Sequence, residues 1–332
     1  MAGAKILLYK QGDSNTKTAM PKKIIIDTDP GQDDALALLL ACASPQELEI
    51  TGVIAVAGNV PLHHTLNNAR KLLELAGRPD VPLYSGSEAP MRRRLVTAEH
   101  VHGQTGLDGP DLPVPTMPVQ KKPGVQFLID TLRAAEPGTI TIVTLGPLTD
   151  LAYALQQAPD IAPRIAEVVM MLGAWHEMGN VTPTAEFNAY CDPDAAAIVL
   201  NSGVKAVLLP LDATHQVIST QKRIGVLKAM PNRSGPNAAI MLKASEAFDI
   251  SKFGSDGAPL HDPCTIAYLL KPELFSGRFV NVAVETESEL TLGMTVVDWW
   301  KATDRAPNAM FMTKADGEGF YKLLFERLAR LP

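Results

Sequence analysis

The segment Asp27-Thr28-Asp29-Pro30-Gly31-Gln32-Asp33-Asp34 places four carboxylates within eight residues. So many like charges in one short span repel each other unless a cation neutralises them. Carboxylate oxygens without a His or Cys in the run suit a hard ion such as Ca²⁺ or Mg²⁺ better than Zn²⁺. Acids in a first helical turn are also favoured by the helix dipole alone. That reading suffices for Asp33 or Asp34 taken singly. It does not suffice for the whole set, which follows directly on an apolar run and so sits where a strand ends.

The elements that must position this cluster follow from the hydrophobic pattern. Lys23-Ile24-Ile25-Ile26 is a short β-branched run typical of a buried parallel strand. A helix over 33–41 follows the break at Pro30-Gly31, then a strand over 49–56 ending at Gly58-Asn59, then a helix over 66–76. The alternation goes on with strands over 139–144, 168–172 and 204–209, and helices over 148–156, 193–201 and 262–270. Repeated βαβ units predict a single α/β domain with a mainly parallel central sheet and helices on both faces. Ligands in such sheets bind beyond the carboxyl ends of the strands. Residues 84–122 read as a long loop or lid, and 281–297 as a hairpin or edge structure. Residues 1–20 read as a loose N-terminal extension and 21–332 as the domain.

Composition narrows the class. The 332 residues carry 30 Lys+Arg and 36 Asp+Glu, a formal net charge of −6, with 46% apolar and 20% charged residues. This supplies a large core and is too apolar for a disordered chain. The acidic balance argues against nucleic acid as the main partner. No apolar run reaches the ~20 residues of a membrane helix. Cys42, Cys191 and Cys264 are odd in number and widely spaced, which disfavours a disulfide framework and fits a reducing cytoplasm.

Three patterns compete for the acidic segment. An EF-hand loop counted from Asp27 would need Gly at its sixth position and Glu at its twelfth. Those positions hold Gln32 and Leu38. A Mg²⁺-dependent phosphatase of the haloacid dehalogenase type has strand–D-x-D, with Asp27 as nucleophile and Asp29 as acid, but it wants Thr or Val where Gly31 stands. The third pattern, strand–D-x-D-P-G-x-D-D, is carried at every fixed position. Beyond it lie Gly58-Asn59, Val101-His102-Gly103 with Gly106, Leu145-Gly146-Pro147-Leu148-Thr149, Gly179-Asn180 with Ala185-Glu186-Phe187-Asn188, and His261-Asp262-Pro263-Cys264. In this order and spacing, residues 21–330 resemble the inosine-uridine preferring nucleoside hydrolase family.

That resemblance implies hydrolysis of the N-glycosidic bond of ribonucleosides to free base and ribose, through an oxocarbenium-like sugar as in other glycoside hydrolysis. It implies Ca²⁺, with Asp29, Asp34, the Leu145 carbonyl and Asp262 as ligands and Asp29 as general base. Asp27 either orients these carboxylates or is a buried structural acid. Asp33, Asn59, Asn180, Glu186 and Asn188 are the implied ribose contacts. Glu186 and Asn188, two apart, would share one side of an extended segment. His261 or His102 would assist departure of the base, since a His can donate a proton near neutral pH. His63, His64, His100, His176 and His215 read as surface or structural residues, and Arg92-Arg93-Arg94 as a solvated loop face. Trp175, Phe187, Phe248 and Phe253 could border a base pocket, although core packing is the simpler reading.

The stretches 257–267 and 102–110 are most similar to bacterial pyrimidine-preferring ribonucleoside hydrolases, which implies uridine and cytidine as substrates, with inosine as an alternative. The resemblance further implies a dimer or tetramer. A non-catalytic Ca²⁺- and ribose-binding protein is the remaining alternative, against which the intact Asp29 and His261 weigh.

Overall fold

The computed structural model describes residues 20–253 and 257–332, so the extension expected over 1–20 lies outside the described residues except for Met20. The chain opens with β1 (Lys22–Thr28), in which Ile24, Ile25 and Ile26 are wholly buried. It breaks at Asp29-Pro30-Gly31 and enters α1 (Gln32–Cys42), which is buried on every side from Asp34 to Cys42. A helix apolar around its circumference belongs in a core. β2 (Leu48–Ala55), α2 (Leu62–Leu75) and β3 (Leu83–Ser85) follow.

The middle of the chain holds α3 (Glu99–His102), α4 (Gly124–Ala134), β4 (Ile140–Thr144), α5 (Thr149–Gln157) and β5 (Ile165–Met170). After these come α6 (Phe187–Cys191), α7 (Pro193–Asn201), β6 (Ala206–Leu208) and α8 (Leu211–Thr214). β7 (Ile218–Thr220), α9 (Gln221–Lys228), α10 (Ser234–Phe253), β8 (Gly257–Pro259) and α11 (Pro263–Leu270) lead to the C-terminal part. That part is β9 (Phe275–Val284), β10 (Thr295–Asp298), β11 (Ala309–Ala315) and α12 (Gly317–Leu328).

Nine strands form one sheet in the order β10-β9-β11-β6-β5-β4-β1-β2-β3. From β11 to β3 every pairing is parallel, while β9 pairs antiparallel with β11 and β10. Ile24 and Ile26 of β1 pack into one core with α1, α2, α11 and α12, whereas Ile25 points into a second core with α4, α5 and α7. The strand's two-residue period thus divides its isoleucines between the helical layers. β1 lies between β2 and β4. The chain builds outward from β1 in one direction and from β4 in the other, so the order reverses at their shared edge. Open α/β sheets form their binding crevice at such a point.

The expected α/β sheet and its βαβ alternation are present, with differences in detail. The sequence reading leaves β3, α3, α4, α6, α8, β7, α9, α10, β8, β11 and α12 unassigned, together with the first part of β9. Residues 281–297 fall in an antiparallel β9–β10 hairpin at the sheet edge. Residues 86–98 and 103–123 contain no helix or strand, in keeping with a long loop. The loop is tied down, however. Arg70 donates to the Met117 and Pro115 carbonyls at 2.7 and 3.0 Å, and the Glu74 carboxylate accepts the Thr116 and Met117 amides. Among the described residues no helix is long and apolar enough to cross a membrane.

Because Ile25 is fully buried in the central strand, Ile25→Ala should cost about 2–5 kcal/mol of stability. Urea unfolding measures this, and a loss below ~1 kcal/mol would contradict the packing of β1 against α4 and α5.

Candidate active site

The carboxyl ends of β1 and β4 bring the acidic segment together. Asp29 follows the last residue of β1, and Asp33 and Asp34 occupy the first turn of α1. Asp34 is held from four directions: its carboxylate accepts the Thr28 hydroxyl at 2.6 Å, the Asp29 and Gly31 amides at 3.3 and 3.0 Å, and the Asn59 side-chain amide at 3.2 Å. Asp29 Oδ2 accepts the Asn59 backbone amide at 2.7 Å. Two glycines close on it. A Cβ at Gly58 would lie 2.1 Å from Asp29 Oδ2, and one at Gly146 would lie 2.3 Å from Oδ1.

Asp262 arrives from the other half of the chain as the residue preceding α11. One carboxylate oxygen each from Asp33, Asp34 and Asp262 lies within 4.8 Å of the others. This trio includes Asp33, which the resemblance gives to ribose, and does not include Asp29. Asp29 stands beside it with Oδ1 buried and unpartnered, as is Oδ1 of Asp33. Burial, and then the neighbouring carboxylates, push Asp29 and Asp262 well above the usual range; burial and Asp33 raise Asp34. Unsatisfied buried carboxylate oxygens in an all-oxygen donor set fit a hard divalent cation. The Leu145 carbonyl borders the same space and accepts the Asn188 side-chain amide at 2.6 Å, using one of its two lone pairs.

Of its two readings, Asp27 fits the buried structural acid and not the orienting one. Both of its carboxylate oxygens are buried without a hydrogen-bond partner, so it does not orient Asp29 or Asp34 directly. Thr28 and Asn59 do that. Burial raises Asp27 first, then the nearby Asp150, which is itself pushed up to about 6 by burial while Ser87 holds it down. Asp27 is 1% exposed and absent from the cavity wall. A phosphatase nucleophile must reach its substrate, so the haloacid dehalogenase reading fails here.

A cavity of about 120 Å³ is lined by Asp33, Asn59, Leu145 and Asp262. Asn180, Glu186, Phe187 and Asn188 line it too, as do His102, which packs against Gly31, and His215 and His261. Glu186 and Asn188 are not on an extended segment. Glu186 caps α6, accepting the Asn188 and Ala189 amides at 2.7 and 3.1 Å and also the Gly173 amide at 2.9 Å. Asn180 Oδ1 accepts the Phe187 amide at 2.9 Å. The expected ribose contacts therefore also brace one another.

The histidines are held differently. His102 Nδ1 lies 2.6 Å from Gln32 Oε1, while Gln32 Nε2 donates to the His102 carbonyl at 2.9 Å. Since Gln32 Oε1 only accepts, His102 carries its proton on Nδ1. His261 Nδ1 lies 2.7 Å from the Thr214 hydroxyl. Burial, then His215 and His102, lower the His261 pKa to about 3. His261 is thus neutral near pH 7 and can donate a hydrogen bond, but it does not act as an imidazolium. His215, read from sequence as a surface or structural residue, lines the cavity with Nδ1 2.9 Å from Glu177, and His100 lines it too. Gln32, Thr214 and His215 carried no spacing signal, because their partners lie between 38 and 70 residues away.

Trp175 stacks on Trp299 at 4.6 Å in a separate groove, and among the described residues no Trp lines the cavity. The side chains of Phe248 and Phe253 lie outside the described residues. Arg92 and Arg93 pair with Asp194.

Two outcomes follow. Gly146→Ala drives a methyl into Asp29 and should weaken divalent-cation binding about tenfold or more, as read by calorimetry; unchanged binding would separate Asp29 from the cation. The second concerns pH. Burial raises Glu186 from 4.5 to about 7. Its contribution to stability is complete below about 4.5 and is lost as pH rises through about 7. Asp29, Asp34 and Asp262 act with the same sign. Metal-free protein should therefore melt at lower temperature as pH rises across this window, and Glu186→Gln should flatten the slope. A melting temperature that climbs instead would contradict the burial of these acids.

The comparisons agree with the geometry. Residues 24–322 match the model of the inosine-uridine preferring nucleoside hydrolase family. A pyrimidine-specific ribonucleoside hydrolase RihA of Salmonella paratyphi B is 45% identical over 314 residues, covering 93% of this chain and 99% of that protein. An uncharacterised protein of Schizosaccharomyces pombe is 54% identical over 310 residues, covering 93% of this chain and all of that one. Among solved structures, the plant nucleoside hydrolase PpNRh1 superposes with a TM-score of 0.86 at 33% identity, over 93% of this chain and 99% of its own. A purine-preferring ribonucleoside hydrolase from Gardnerella vaginalis gives 0.87 at 29% identity, over 93% of this chain and 98% of its own. The chain belongs to the inosine-uridine preferring nucleoside hydrolase family and is an N-glycosidase of ribonucleosides.

Proposed function

We propose that the protein is a Ca²⁺-dependent hydrolase of pyrimidine ribonucleosides, acting on uridine and cytidine. The observation that carries this reading is a single cavity that brings together unsatisfied buried carboxylate oxygens, the side-chain amides with Glu186, and the His102 and His261 imidazoles. Asp29, Asp34, Asp262 and the Leu145 carbonyl would hold the cation, with Asp33, whose carboxylate lies with those of Asp34 and Asp262, sharing it. Bound there, Ca²⁺ would supply positive charge that makes a water more acidic and attracts sugar hydroxyls, which would favour ribose over a deoxy sugar.

Asp29 Oδ1, with no other hydrogen bond to make, takes the proton of the attacking water. The water adds to the anomeric carbon as the bond to the base breaks. Asn59, Asn180, Glu186 and Asn188 orient the sugar, since short amides and carboxylates match hydroxyls that both donate and accept. His261 hydrogen-bonds the departing base as a neutral donor, and His102 faces it with Nε2 as acceptor. Pyrimidine preference is supported by the likeness to the RihA enzyme and by the absence of tryptophan from the described cavity wall. The family resemblance read from the sequence further implies a dimer or tetramer that serves nucleoside salvage in the cytoplasm.

The test is to incubate the protein with uridine, cytidine, inosine, deoxyuridine and uridine monophosphate, with and without chelator, and assay base, ribose and phosphate. Release of base and ribose from uridine and cytidine, abolished by chelator and restored by Ca²⁺, is expected. Faster release from inosine would reverse the preference, and ribose binding without turnover would make this a binding protein. Asp29→Ala should lower kcat by at least the roughly 10²–10⁴ of a lost general base.

A further inference from the structure

We propose that Thr214, which is buried behind the cavity lining, is a positioning residue that fixes the His261 imidazole as its Nε2–H tautomer and so makes it a hydrogen-bond donor to the leaving base. The inference rests on the ribonucleoside-hydrolase reading for its use, and on geometry alone for the tautomer.

Thr214 is fully buried at the end of α8 and is absent from the cavity wall, whereas His261 lines it. Among the described residues the Thr214 hydroxyl has one hydrogen-bond partner, His261 Nδ1 at 2.7 Å. A hydroxyl carries one hydrogen and can also accept. If His261 bore a proton on Nδ1, the hydroxyl would accept it and leave its own hydrogen buried without a partner, which is costly. If the hydroxyl donates, both roles are filled and the imidazole proton must sit on Nε2. With Nδ1 committed to Thr214, Nε2 is the nitrogen left for a ligand.

The pair is held by backbone on both sides. β7 and β8 pair antiparallel, with Ile218 opposite Pro259, and the Leu260 amide donates to the Val217 carbonyl at 2.9 Å. The Thr214–His261 contact extends this ribbon beyond its last backbone bond. The Thr214 amide is itself bound to the Pro210 carbonyl at 3.0 Å, which anchors the residue in its helical turn. The ring thus has a defined backbone and a defined rotational partner.

The test compares Thr214→Val and Thr214→Ser on two substrates. Uridine has a poor leaving group that needs a donor; a nitrophenyl riboside leaves unaided. Thr214→Val should lower kcat on uridine about tenfold to a hundredfold, leave KM nearly unchanged and keep the nitrophenyl riboside within about twofold. Thr214→Ser should restore uridine turnover. Nitrogen-15 spectra of histidine-labelled protein should show His261 as the Nε2–H tautomer, with that preference lost in Thr214→Val. Equal loss on both substrates, no loss on either, or an Nδ1–H signal in the wild type would overturn the assignment. Wild-type protein inert on both substrates would overturn the hydrolase reading instead, while the spectra still decide the tautomer.

Discussion

Carboxylates at the ends of β1 and at the starts of α1 and α11 repel one another, and folding must hold them within a few ångströms in a place largely closed to water. Two helix N-termini face the cluster, and their dipoles offset part of the repulsion. Thr28, Gly31 and Asn59 aim donors at Asp34 and Asp29. Gly58 and Gly146 have no side chain because Asp29 occupies the space one would need. These donors do not exhaust the lone pairs, and the remainder is available to a cation.

The same cavity brings two kinds of chemistry together. At the strand ends are carboxylates held by hydrogen bonds. Beside them are imidazoles, of which burial lowers the pKa of His102 and His261. Gln32 directs the His102 proton to Nδ1, leaving an acceptor free, and Thr214 directs that of His261 to Nε2, leaving a donor. In the reaction proposed above, a sugar that becomes cationic as its bond breaks would meet negative charge, and a base that gains electrons would meet a hydrogen-bond donor.

Much of this was legible in the sequence where chemistry and local pattern coincide. Ile24-Ile25-Ile26 announces a central strand, and the acids after it announce a site at its end. The parts that escaped are of two sorts. α4 carries Phe127, Leu128, Ile129 and Leu132 on its buried side, but it follows a Pro- and Gly-rich stretch that blurred its start. Glu186 and Asn188 look like neighbours on a strand when only their two-residue spacing is considered; three backbone amides converging on Glu186 make it a helix cap instead. Gln32, Thr214 and His215 escaped for a different reason. Each is an ordinary residue whose role is set by a partner delivered by the topology. The change of direction between β1 and β4 and the β7–β8 ribbon create those meetings, and no local pattern encodes them.

The β7–β8 ribbon lies outside the nine-stranded sheet and carries the chain into His261. Asp29, Asp33 and Asp34 follow directly on a strand of the sheet, while His261 and the adjoining Asp262 follow an appendage with its own hydrogen-bond ladder. His261 and Asp262 are consecutive, so the ribbon that sets this imidazole also sets one carboxylate of the acidic cluster. Sequence drift in that short appendage would be felt in both halves of the cavity at once, which ties the two together rather than leaving either free to vary alone.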